Sequence, residues 1–346
     1  MRRGWALFVL LLVTACGTGE TMPVSVRVVS TPEPTGVAKA KVSLPTPTPK
    51  ATVASSSSSA SAPAKAVAPV PAKKLPVPVP VAPAVGLGAY KKLGSWIDVF
   101  DHHDSAESIV PLVNKMADLG TKTLYLETAR FSSETDIQMP KAVGAALDAA
   151  KGRGMKVVAW YPPNFVDVDL DVRRSVAAVK FRSPEQNRFD SFAADIEYTQ
   201  GVPDDEKRNA RTLDYSKRLR NAVGKSYPLA AIVIPPSSLE INPTRWPNFP
   251  WKQLAADYDI FMPMNYWTAR SKDAKTAREL TSYNVSQTKK LTGRPVHIIG
   301  GLGEHADGAQ TEAYVKACLE SGSLGGGLYD FRTTRSDVWD ELRKLN

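Results

Sequence analysis

The chain has 346 residues, 43% hydrophobic and 23% charged, enough for one large domain or two small ones. Its formal charge of +9 is uneven, because residues 1–88 hold 9 Lys and Arg against 2 Asp and Glu, leaving 35 against 33 for residues 89–346. A near-neutral folded part excludes a domain that gathers positive charge onto nucleic acid, so no nucleic-acid partner is expected, and two cysteines exclude a disulfide framework.

The chain opens with Met1-Arg2-Arg3 and the apolar run 5–13, the charged and hydrophobic regions of a secretory signal too short to span a bilayer. The run ends in Val13-Thr14-Ala15-Cys16, which resembles a bacterial lipobox. That resemblance implies cleavage after residue 15 and lipidation of Cys16, hence a membrane partner through the acyl chains and a place in the cell envelope. Gly17 follows the cysteine, so outer-membrane or extracellular-face sorting is expected. Residues 16–88 carry 13 of the 27 prolines, in stretches such as LPTPTPK and LPVPVPVAPA. So little apolar surface cannot offset the entropy of ordering, and such prolines favour polyproline II. At ~3.1 Å per residue this stalk holds the following domain on the order of 100 Å from its anchor.

From residue 89 onward, short apolar runs alternate with helical segments. The expected strands are 96–100, 123–127, 156–160, 191–197, 229–234, 260–266, 296–300 and 326–330. The expected helices include 106–119, 142–153, 205–224, 311–321, which would bury Cys318, and a final one at 336–345. Eight strands, seven intervening helices and a terminal one have the count and size of a (β/α)8 TIM barrel. A doubly wound sheet is the competitor, but no glycine-rich phosphate loop follows the first strand, and polar residues recur at the carboxyl ends of nearly all strands. In a barrel those ends converge on one mouth.

On the fourth strand Ala193, Asp195 and Glu197 share a face, because residues two apart point the same way. Two carboxylates about 6–7 Å apart along a strand repel each other, so one holds its proton to higher pH, the state a general acid needs. This segment resembles the D-x-x-D-x-D-x-E strand of chitinase-like family 18 glycoside hydrolases, with Asp190, Ala193, Asp195 and Glu197 at the four motif positions. The resemblance implies Glu197 as the acid that protonates the leaving oxygen and Asp195 as the group that orients the substrate's 2-acetamido arm. On the sixth strand, Met264-Asn265-Tyr266-Trp267 is similar to the family's M-x-Y-D, which implies Tyr266 as a third catalytic residue, with Asn265 and Trp267 beside the substrate. Trp96-Ile97-Asp98-Val99 and Asp195-Ile196-Glu197 are also similar to strands of family 25 lysozymes, which implies Asp98 at the site and peptidoglycan as substrate.

Glu127, Trp160, Asp190 and Asp330 complete the candidate substrate-binding set, with Arg130 following the second strand. The pair His102-His103 between Asp101 and Asp104 offers metal-ligand chemistry, but adjacent residues seldom converge on one ion. Neither a metal nor another cofactor is expected. The expected activity is cleavage of a polysaccharide containing N-acetylated amino sugars, chitin-like or peptidoglycan. Ala193 stands where the family has an acid, and the S-x-G-G signature is absent, which leaves open a barrel that binds its glycan without cleaving it.

Overall fold

A computed structural model of the protein describes residues 86–99 and 106–346. The signal peptide, Cys16, most of the stalk and the Asp101–Asp104 segment lie outside the described residues. Eight strands alternate with helices: β1 Lys92–Ile97, β2 Thr123–Glu127, β3 Lys156–Tyr161, β4 Ser191–Ile196, β5 Leu229–Val233, β6 Ile260–Pro263, β7 Ile298–Leu302 and β8 Gly325–Tyr329. The helices are α1 Ala106–Asp118, α2 Pro140–Gly152, α3 Val168–Lys180, α4 Asp205–Val223, α5 Pro236–Ile241, α6 Trp251–Leu254, α7 Ala274–Thr292, α8 Gly308–Ser321 and α9 Trp339–Leu342. All seven strand ladders are parallel, in the order β6-β5-β4-β3-β2-β1-β8-β7. Parallel bridges Phe261↔Val296 and Met264↔Ile299 join the two ends. This is the expected (β/α)8 barrel.

Local chemistry explains where the elements start and stop. Asp167, Asp204, Asp273 and Asp307 each accept a backbone N–H in the first turn of α3, α4, α7 and α8. Gly293 and Gly322 close α7 and α8 in the left-handed region that glycine enters without steric cost. Between β5 and β6 the expected helix is reduced to the short α5 and α6, in a segment broken by Pro243, Pro247 and Pro250.

Aromatic rings fill the barrel where its neighbours have no side chains. Trp96 of β1 stacks on Tyr125 of β2 at a centroid distance of 4.2 Å. A Cβ at Gly94 would stand 2.4 Å from the Tyr125 ring, and one at Gly327 only 1.9 Å from the Gly94 carbonyl oxygen. Gly94 is therefore what admits the Tyr125 ring, and Gly327 is what lets β8 approach the β1 backbone. β1 starts at Lys92 and ends at Ile97, rather than spanning 96–100. The core is continuous around the barrel, and Cys318 is buried in α8.

Candidate active site

The carboxyl ends of β1, β2, β4 and β8 bring Asp98, Glu127, Asp195, Glu197 and Tyr329 toward one another, joined by Tyr266 from the turn after β6. Alternation along β2 and β4 does most of this, carrying Tyr125 and Glu127 inward on one strand and Ser191, Ala193 and Asp195 on the other. Register then sets the heights: Glu127 pairs with Trp160, Trp160 with Ala193, and Asp195 with Ile232. Trp96 lies edge-on to Trp160 at 6.0 Å and tilted against Tyr329 at 6.1 Å, so aromatic rings wall the space beneath the carboxylates.

Contacts tie the cluster together. The Val99 N–H donates to Glu127 Oε2 at 2.9 Å, and Arg130 Nε stands 3.6 Å from Glu127 Oε1. Tyr329 donates its hydroxyl to Asp98 Oδ2 at 3.1 Å, and its ring lies 6.2 Å from that of Tyr266. Asp195 is buried, and among the described residues its Oδ1 has no hydrogen-bond partner; the same is true of the indole nitrogens of Trp96 and Trp160. Buried polar atoms usually find partners within the protein, so unmet ones at the carboxyl ends of the barrel strands are candidates for satisfaction by a ligand.

The electrostatics push the acids toward their protonated forms. Burial raises the Asp195 carboxyl well above the usual carboxylate range; Glu197 and Glu127 push it further and Arg130 opposes them. Burial also raises Glu197, which is half-buried at the rim, against the pull of Arg245 and Arg130. Asp330 is raised mainly by burial, with the Thr333 N–H opposing, and Tyr266 is held far above the ordinary phenol range by burial, Glu197 and Asp195. A carboxylic acid that keeps its proton beside a second carboxyl can donate that proton at moderate pH.

Several expected residues stand elsewhere. Asp190 precedes β4 at the opposite end of the barrel, where Lys151 at 2.5 Å, Lys156 at 3.1 Å and the Val157 N–H at 2.8 Å occupy its carboxylate. β6 ends at Pro263, and the chain then turns. Asn265 therefore bonds Thr281 and Asn284 of α7, while Trp267 is fully buried, its Nε1 donating to Gln310 of α8 at 3.0 Å. Neither can line a glycan. Asp330, by contrast, stays at the mouth: just past β8 it accepts from the Thr333 N–H and acts electrostatically on Tyr266 and Tyr329, the latter donating to Asp98. Tyr329 was legible as the residue two beyond Gly327 on the same strand face; Arg245, in the loop after α5, carried no periodic signal. Among the described residues no group of three His, Cys, Asp or Glu stands in metal-holding geometry.

No protein-family model matches the sequence, and no curated protein matches it. Solved structures do match in shape. An endo-β-1,4-mannanase from Thermotoga petrophila superposes with a TM-score of 0.57 at 11% identity, over 76% of this chain and 77% of that one. The spore cortex-lytic enzyme SleL of Bacillus cereus gives 0.55 at 9% identity, over 74% of each chain. A chitinase from Bacteroides thetaiotaomicron gives 0.51 at 13%, over 74% of this chain and 94% of that one. In fold, the chain resembles glycoside hydrolases. At these identities the likeness is one of architecture, and the chemistry has to be argued from the mouth itself.

Proposed function

We propose that the protein is an envelope-anchored glycosidase acting on a polysaccharide with N-acetylated amino sugars, with Glu197 as its general acid. The observation that carries this reading is the pair itself: Asp195, buried with an unmet oxygen, beside Glu197, both raised toward the acid form. Glu197 gives its proton to the leaving glycosidic oxygen as the bond to the anomeric carbon breaks. The substrate's own acetamido oxygen attacks that carbon, Asp195 holds the acetamido N–H, and Tyr266 donates its hydroxyl to the acetamido oxygen. Water then opens the cyclic intermediate, returning a proton to Glu197. The barrel likeness to a chitinase and a cortex-lytic enzyme supports the substrate class.

The test is product release from chitooligosaccharides, peptidoglycan and a deacetylated glucosamine polymer. Turnover of one of these is expected, with Glu197→Gln lowering it about 10²–10⁴-fold without lowering thermal stability. Equal turnover by the variant would remove Glu197 from the mechanism. A second reading, a barrel that binds glycan without cleaving it, is favoured by Ala193, a methyl group where the motif has an acid. It predicts calorimetric binding to the same glycans and no product. The anchor is tested separately: Cys16→Ser should move the protein from the membrane to the soluble fraction of its host.

A further inference from the structure

Two arginines on different loops border the mouth, Arg130 with its Nε 3.6 Å from Glu127 Oε1 and Arg245 close enough to Glu197 to act on its carboxyl. Arg245, on the loop between α5 and α6, and Arg130, on the loop after β2, both act electrostatically on the Glu197 carboxyl. Chance surface arginines would be loosely held, but the loops bearing these two are tied down by buried guanidinium groups that take no part in the mouth. Arg174 of α3 donates to the carbonyls of Arg130 at 2.9 Å, Phe131 at 2.8 Å and also Ser133. Arg208 of α4 lies 4.7 Å over the ring of Trp246, the neighbour of Arg245, and donates to the Val202 carbonyl at 2.9 Å. Trp246 Nε1 in turn donates to Asn209 at 2.7 Å, and Asn209 donates to the Pro247 carbonyl at 3.2 Å. Such anchoring removes much of the entropy cost of ordering a binding group.

The residues that follow Arg130 and Glu197 in sequence are aromatic. Phe131, next to Arg130, and Tyr198, next to Glu197, pack with ring centroids 4.7 Å apart, and both remain partly open to solvent. A pyranose offers C–H faces to aromatic rings, while a carboxylate on it meets guanidinium groups through charge-assisted hydrogen bonds.

We infer that the rim at Arg130, Arg245, Phe131 and Tyr198 is a subsite for a carboxylate-bearing sugar, so that the glycan taken by this protein is acidic. The inference rests on the glycosidase reading and adds the charge of the substrate to it. With Glu197 in its acid form, the two cations lose one of the negative charges they face, and a sugar carboxylate replaces it. That carboxylate then draws the cationic influence away from Glu197 and helps it keep the proton the reaction consumes. The carboxylates Asp98 and Asp330 stand with Tyr329 on the β1–β8 side of the mouth, where hydroxyl and amide donors of the remaining sugars are suitable partners.

The experiment is calorimetric titration of the full-length Glu197→Gln chain with three tetrasaccharides. The first alternates N-acetylglucosamine with N-acetylmuramic acid and carries free lactyl carboxylates, the second is the same molecule with those carboxylates converted to primary amides, and the third is chitotetraose. The acid form should bind about tenfold or more tightly than its amide at low salt, and the margin should shrink as salt rises. Adding Arg245→Gln should cancel the margin and Arg245→Lys should retain part of it. Equal binding of acid and amide, or a margin that survives Arg245→Gln and Arg130→Gln together, overturns the inference. Should an arginine variant fail to fold, the acid and amide ligands still decide the matter on the chain with both arginines present. If all three sugars bind alike, only the charge assignment falls; if none binds, the glycosidase reading falls with it.

Discussion

At the amino-terminal foot of the barrel, Tyr90 and Ser191 share a hydrogen bond of 2.5 Å, Ser191 donates to the Pro228 carbonyl at 2.7 Å, and His297 Nδ1 lies 2.9 Å from the Tyr90 carbonyl oxygen. At the carboxyl-terminal mouth, equally buried groups go without: Asp195 Oδ1 and the indole nitrogens of Trp96 and Trp160 have no partner among the described residues. The same strands bear both sets, since Ser191 and Asp195 lie on β4. At the foot these three side chains satisfy one another and nearby carbonyls, although the Thr121 and Thr123 hydroxyls at the start of β2 also lack a partner among the described residues. The mouth keeps carboxyls at a cost in stability, and that cost needs a use.

This contrast can be broken at three points. The largest effect is expected where two strands meet without side chains between them: Gly327→Ala puts a methyl 1.9 Å from the Gly94 carbonyl oxygen. It should destabilise by about 3 kcal/mol or prevent folding, as read by urea unfolding. A loss near zero would mean that β1 and β8 are not packed as described.

Next comes Ser191→Ala at the foot. It strands the Tyr90 hydroxyl and leaves the Pro228 carbonyl with only the Phe192 N–H, and should cost about 1–3 kcal/mol while glycan binding is unchanged. A binding defect would show that foot and mouth are not separate.

The smallest effect has the opposite sign. Asp195→Asn removes a buried carboxyl and should raise stability at pH 7 by about 1 kcal/mol while abolishing turnover. The pH dependence separates the two ends as well. Asp195 and Glu197 are raised from 3.8 and 4.5, so the folded chain holds protons that the unfolded chain releases, and their contribution to stability declines as pH rises above the ordinary carboxylate range. His297 is depressed by burial from 6.5 to about 4, so its contribution is present above 6.5 and is lost as pH falls toward 4. Denaturation at a series of pH values should show Asp195→Asn flattening the decline that begins as pH rises above the ordinary carboxylate range, and His297→Gln flattening the loss as pH falls from 6.5 toward 4.

The barrel was legible because its strands are short apolar runs between capped helices, and the predicted and observed spans of β2 coincide. Alternation from Ser191 to Asp195 likewise holds along β4, but the strand ends at Ile196, one residue short of the expected end, and Glu197 stands in the turn beyond it. Other assignments failed for physical reasons. A motif match alone could not tell that Asp190 sits below the strand, within reach of Lys151 and Lys156. Pro263 ends β6 early, so alternation stops and the turn sends Trp267 and Asn265 into the packing against α8 and α7. Arg245 acts from a proline-rich loop, where no periodicity exists to be read.

The central claim is that Glu197 meets the glycosidic oxygen at the mouth. A crystal structure of the Glu197→Gln chain with a bound N-acetylated oligosaccharide tests it directly. The account predicts the scissile oxygen within about 2.6–3.2 Å of the residue-197 side chain and the acetamido nitrogen on Asp195. A sugar bound away from the mouth, or Asp195 paired with a protein group and closed to the ligand, would contradict it.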